Sequence, residues 1–97
     1  MIDARQSQPP AISQERATRL LETLCTKYGF CLPPLWQARL TKNPPHTVEK
    51  FVDTVFHAEG LDPVRADGIL LSKIRAEVRL AFEATMSERL EEARSHD

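Results

Sequence analysis

The sequence predicts an all-α fold, a small bundle of about four helices packed on a long C-terminal helix. Six of the seven prolines form three Pro-Pro pairs, which suit helix starts and borders because proline fixes φ and lacks an N–H. Gly29 and Gly60 each follow a run of apolar residues at helical spacing. No segment shows the alternation of apolar and polar residues that is typical of a strand.

The first predicted helix covers 13–28, and the second, which is short, covers 34–42. Ser13 is a suitable N-cap, and Gly29 supplies the left-handed residue at which a helix commonly ends. Pro33-Pro34 opens the second helix. The apolar stripe of the first helix consists of Leu20, Leu21, Leu24, Cys25 and Tyr28.

The third predicted helix covers 47–59, and the long fourth helix covers 63–93. Thr47 caps the third helix and Gly60 ends it. Gly68 lies one turn into the fourth helix, where glycine costs about 1 kcal/mol relative to alanine. A short turn at 63–67, followed by a helix that restarts at Asp67, is therefore an open alternative.

The predicted domain organisation is a single helical domain over 12–93, since 97 residues suit one modest core. Residues 1–11 are polar and carry a Pro-Pro pair, so we expect a disordered arm there. The polar segment 94–97 is expected to fray.

Charge and hydropathy exclude several classes of protein. A net charge of −1 gives no general attraction to nucleic acid or to an anionic membrane. No stretch approaches the roughly 18–20 apolar residues of a membrane span, and the first ten residues lack the apolar core of a signal peptide. We therefore expect a cytoplasmic protein of bacterial type, with no membrane partner and with Cys25 and Cys31 as reduced thiols.

Three short motifs of the sequence carry a resemblance: G-F-C-L-P-P at 29–34, N-P-P at 43–45 and A-E-G-L-D-P at 58–63. In these motifs the chain resembles a group of short bacterial helical proteins to which no activity is assigned. The match would cover roughly 20–82. The resemblance implies a small helical domain and brings no functional residue with it.

The sequence predicts no metal site, no catalytic residue and no cofactor. Cys25, Cys31, His46 and His57 could in principle bind zinc, but five residues separate the cysteines, where structural zinc sites have two to four. A thiol-dependent enzymatic or redox role would depend on Cys31, which precedes the second helix. This role stays open as an alternative to a non-enzymatic protein.

Nucleic-acid binding is disfavoured by the residues at the start of the third helix. In a helix-turn-helix that helix would read the major groove, but its first turn offers Thr47, Val48, Glu49 and Lys50 and no arginine. A nucleic-acid-associated regulatory role would instead need the basic residues of the first half on one face. These are Arg16, Arg19, Lys27, Arg39 and Lys42.

Two features predict a protein–protein interaction module. The first is an aromatic concentration around Phe30 and Trp36, next to Leu35, which is either a corner of the core or an anchor for a partner. The second is length: a last helix counted from 69 to about 93 spans nearly 40 Å, which exceeds the roughly 24 Å and 20 Å of the first and third helices. Met86 and Leu90 near its end would then contact a second copy of the chain or a protein partner, unless the first helix runs antiparallel along the last one and covers them.

Overall fold

The computed structural model describes residues 11–62, 65 and 68–95, which form four helices and no strand. The helices are α1 (Gln14–Tyr28), α2 (Pro34–Lys42), α3 (Val48–Ala58) and α4 (Gly68–Ser95). The predicted all-α bundle with a long last helix is confirmed. Among the described helices, none is long and apolar enough to cross a lipid bilayer.

Side-chain caps start α1 and α3 where the sequence predicts them. The Ser13 hydroxyl accepts a hydrogen bond from the N–H of Arg16 at 3.1 Å, and the Thr47 hydroxyl accepts one from the N–H of Lys50 at 3.1 Å. Each bond satisfies one of the amide donors that a helix leaves free in its first turn. Pro34 begins α2 directly after Pro33.

The two predicted terminator glycines adopt left-handed backbone conformations, with φ of 75° at Gly29 and 74° at Gly60. After α1, the N–H groups of Gly29 and Phe30 donate to the carbonyls of Cys25 and Leu24. After α3, the N–H of Leu61 donates to the carbonyl of Phe56 at 2.8 Å. At both places the chain reverses while the last carbonyls of the helix keep donors.

The ends of α4 differ from the prediction. The helix begins at Gly68 instead of 63, and it continues to Ser95, two residues past the predicted end. Gly68 is the first residue of this helix as the structure describes it. Much of the predicted first turn at 63–67 lies outside the described residues, as do 1–10 of the predicted arm and 96–97 of the predicted frayed end.

Helix α4 is the element against which α1 and α3 pack. It runs antiparallel to α1, as shown by the ion pairs Arg16–Glu88 and Lys27–Glu77. The core between the helices is apolar. Its buried members are Ile12, Ala17, Leu20, Leu21, Leu24, Phe30, Leu32, Leu40, Phe51, Val52, Val55, Phe56, Ile74 and Val78.

Candidate interaction surface

The second half of α4 carries two of the predicted partner-binding residues on its surface. We call this surface the α4 distal face and define it as Phe82, Glu83, Met86, Arg89 and Leu90. Met86 is 66% exposed and Leu90 is 59% exposed, although both are large and apolar. They lie one helical turn apart, so they form a continuous apolar strip on the outside of the helix.

The helical period explains why Met86 points outward. The core-facing residues of α4 include Ile74, Val78 and Thr85, all of which are buried. Successive residues of an α-helix are rotated by about 100°, so Met86 is turned away from the core side that Thr85 occupies. Phe82 lies between these two directions and is half-buried, with its ring 6.1 Å from that of Phe51 in an edge-to-face contact.

A groove of about 360 Å³ borders this face, between α4 and the start of α3. Its apolar lining residues are Ala11, Val48, Phe82 and Met86, and its charged lining residues are Arg79, Glu83 and Arg89. Val48 is the first residue of α3, and the Thr47 cap fixes its position. The groove therefore combines apolar and charged side chains, as protein interfaces commonly do.

The distal end of α4 extends past the start of α1. The backbone N–H of Ser13, the N-cap of α1, donates to the Thr85 hydroxyl at 3.2 Å. Because α4 continues to Ser95, ten residues follow Thr85, which is about 15 Å of helix. Leu90 lies in this extension, so α1 does not cover it.

A second surface surrounds Trp36, which is half-buried. An open cleft of about 860 Å³ runs between this ring and the end of α3, lined by His57, Leu61 and Asp62 among others. The Trp36 ring makes an edge-to-face contact with His57 at 5.5 Å, and the Arg39 guanidinium lies 5.2 Å from its centroid. Neighbours within the chain thus already occupy much of the ring.

Of the other two predicted partner residues, Leu35 is exposed and Phe30 is not. Leu35 is 61% exposed on α2, whereas Phe30 is 5% exposed and contacts Phe56 edge-to-face at 5.3 Å. The prediction of Phe30 as a partner-binding residue is therefore wrong. The left-handed Gly29 turns the chain back at the end of α1 and directs the Phe30 ring into the core.

The expectation of reduced thiols is also wrong, because Cys25 and Cys31 form a disulfide. Cys31 comes six positions after Cys25 in the sequence, but the reversal at Gly29 brings their Cα atoms to 4.3 Å. Cys31 is therefore not the free thiol that the thiol-dependent alternative needs. The bond ties the last turn of α1 to the segment that leads into α2.

The polar side chains of the described residues also bear on the metal and nucleic-acid alternatives. No group of three His, Cys, Asp or Glu side chains within the described part of the chain is placed to bind a metal. Three of the basic residues considered for nucleic acid are in ion pairs instead: Arg16 with Glu88, Arg19 with Glu15, and Lys27 with Glu77.

The sequence singled out Met86 and Leu90, which are exposed in the structure, but it did not single out the residues around them. Glu83 and Arg89 stand three positions before and after Met86, a spacing that is visible in the sequence. Val48 could not be found in this way, because its place in the groove depends on how α3 packs against α4. Comparison with protein-family models, curated proteins and solved structures gives no match.

Proposed function

We propose that this protein is a non-enzymatic interaction module that binds another protein chain through the α4 distal face. The observation that supports this proposal is the exposure of Met86 and Leu90 beside an apolar groove, on a helix that extends past its neighbours. Contiguous exposed apolar surface with a charged rim is characteristic of sites at which proteins associate.

The Trp36 cleft supports the same class of function less strongly. The ring contacts with His57 and Arg39 stabilise Trp36 within its own chain. On the α4 distal face, by contrast, Met86 and Leu90 are more than half exposed. We therefore place the principal contact on α4 and leave the exposed Leu35 outside it.

The proposal does not require a reactive thiol or a nucleic-acid ligand. The disulfide occupies both cysteines, and ion pairs with carboxylates reduce the positive potential of Arg16, Arg19 and Lys27. The cytoplasmic location stays a prediction from the sequence. The disulfide does not support it, because structural disulfides persist mainly in oxidising compartments.

The test combines Met86→Glu and Leu90→Glu in one variant. Both side chains are exposed, so we expect the free energy of unfolding to change by no more than about 0.5 kcal/mol for each. Association of the wild-type chain, with itself or with a purified partner, should weaken strongly because two charges enter the apolar strip. Sedimentation velocity measures association of the chain with itself, and calorimetric titration measures its binding to a purified partner.

Leu80→Glu is the matched control. Leu80 is 59% exposed on the same helix. It lies six positions before Met86 and therefore faces a different direction, so its substitution should leave association unchanged. Equal binding by the wild-type chain and by the Met86→Glu/Leu90→Glu variant would contradict the proposal, as would an equal loss with Leu80→Glu.

A further inference from the structure

The two sulfurs of the Cys25–Cys31 disulfide, at the corner after α1, differ in their access to solvent. Cys31 is exposed, whereas Cys25 is half-buried in the last turn of α1. Thiol–disulfide exchange begins when an external thiolate attacks one of the two sulfurs of a disulfide, so access to the sulfur helps to decide where the attack occurs. The sulfur that an external thiolate reaches more easily is therefore that of Cys31.

Contacts other than the disulfide also hold this corner together. The N–H of Gly29 donates to the carbonyl of Cys25 at 3.1 Å. Phe30 and Leu32, the residues on either side of Cys31, are 5% and 4% exposed and belong to the core. Because both neighbours are buried, the backbone of Cys31 is fixed on both sides with the disulfide or without it.

The sulfur of Cys31 also has an acceptor beside it for the reduced state. It lies 3.7 Å from the carbonyl oxygen of Cys25, and a thiol at that place can donate a weak hydrogen bond to this oxygen. The side-chain amide of Gln37 donates to the Leu32 carbonyl at 2.7 Å and so fixes the chain directly after Cys31. We therefore expect the two thiols to stay adjacent when the bond between them is broken.

We propose that Cys25 and Cys31 form a thiol–disulfide exchange site, which an external dithiol opens at Cys31 while the protein stays folded. The preserved corner then allows the same pair to close again. This inference goes beyond the proposed function and does not depend on it. The corner lies at the opposite end of α1 from Ser13, which contacts Thr85 next to the α4 distal face.

The exchange is balanced by the dithiol alone. One thiolate of the dithiol attacks the Cys31 sulfur, the bond between the two protein sulfurs breaks, and Cys25 leaves as a thiolate that takes up a proton. The second thiolate of the dithiol then attacks the dithiol sulfur of the mixed disulfide and releases Cys31, which also takes up a proton. The dithiol is oxidised to its disulfide, and its two electrons and two protons pass to the cysteine pair. Closure is the reverse reaction, with an external disulfide as the oxidant.

Reduction of the oxidised wild-type chain by dithiothreitol, in native buffer and in concentrated urea, tests the site. N-ethylmaleimide stops the reaction, and mass spectrometry counts the thiols formed. We expect the rate constant in native buffer to lie within about tenfold of that in urea, because the Cys31 sulfur is exposed. A disulfide that reacted only in unfolded molecules would be reduced about a thousandfold more slowly or less, since few molecules are unfolded in native buffer. A native rate constant more than about tenfold below that in urea would overturn the proposal.

Two single substitutions identify the attacked sulfur. Cys25→Ser keeps the exposed thiol and Cys31→Ser keeps the half-buried one, and oxidised glutathione is the probe for both. We expect Cys31 to form the mixed disulfide about tenfold faster than Cys25, because access controls the reactivity of a thiol. Cys25 borders a groove of about 560 Å³ between α1 and α2, and equal or faster reaction at Cys25 would overturn the assignment to Cys31.

The wild-type chain gives the same information if either variant does not fold. Reduced glutathione is added to the oxidised chain, and acid traps the mixed disulfide. Lys27 stands between the two cysteines, so trypsin places them on different peptides and mass spectrometry locates the glutathione. We expect it on Cys31, and a majority on Cys25 would contradict the proposal.

Equilibrium with mixtures of reduced and oxidised glutathione measures how well the corner holds the two thiols. We expect the effective concentration of the pair to be at least about tenfold higher in native buffer than in urea, because native contacts keep the cysteines adjacent. Equal values would overturn closure by a preserved corner. Far-UV circular dichroism should show the same helix content before and after reduction, and loss of helix would contradict exchange in the folded protein.

Discussion

Phe30 provides the sharpest test of the division between core and surface. The Phe30→Ala substitution removes a ring that is 5% exposed and lies edge-to-face against Phe56 at 5.3 Å. Truncation of a buried phenylalanine costs about 3–5 kcal/mol, since apolar contact is lost and a cavity remains. A domain of this size has a free energy of unfolding of about 5–15 kcal/mol, so the loss is a large part of the total.

Urea unfolding of the oxidised protein, followed by far-UV circular dichroism, measures this loss. If Phe30→Ala does not fold, Phe30→Leu gives the smaller cost of losing the aromatic pair, about 0.5–1.5 kcal/mol, with apolar bulk retained. Leu35→Ala is the control: its side chain is 61% exposed, and we expect a change within about 0.5 kcal/mol. A Phe30→Ala cost below about 1 kcal/mol would refute the assignment of Phe30 to the core.

Two further predictions concern the corner after α1. Reduction of the Cys25–Cys31 disulfide, or the double substitution Cys25→Ser/Cys31→Ser, should lower the free energy of unfolding by about 2 kcal/mol, because the disulfide closes a short loop of the unfolded chain. Thermal unfolding with and without reductant measures this loss, and an unchanged melting temperature would contradict the prediction. Gly29→Ala should destabilise by about 1–2 kcal/mol, since φ is 75° and no atom lies within 4 Å of an added Cβ, so that the cost is purely conformational. Gly68→Ala, also in open space but without a positive φ, should not destabilise α4 in the same urea titrations.

The helix boundaries could be predicted because they depend on short-range chemistry. Ser13 and Thr47 cap their helices through hydrogen bonds to amides three residues away, and Gly29 and Gly60 adopt conformations that other residues disfavour. Neither effect needs information about the rest of the fold. The start of α4 was harder to predict, since both Asp62-Pro63 and Asp67 are credible starting points.

The cysteine pair and Phe30 were assigned wrongly although the sequence predicted the left-handed residue, Gly29, at which the chain reverses. The prediction of reduced thiols rests on the expected cytoplasmic location and does not consider whether Cys25 and Cys31 come close enough to bond. A left-handed glycine between them reverses the chain and brings their Cα atoms to 4.3 Å. The same reversal turns Phe30 inward, so of the two positions that the sequence left open for it, Phe30 takes the one in the core.

The arrangement of α4 separates the residues that stabilise the fold from those proposed to bind a partner. Ile74, Val78 and Thr85 face the core, and the cap of α1 contacts Thr85. Met86 and Leu90 take little part in that packing, so the core gives no physical reason for apolar side chains at these two positions. Association does give one, because an exposed methionine and leucine gain stabilisation only when another surface covers them.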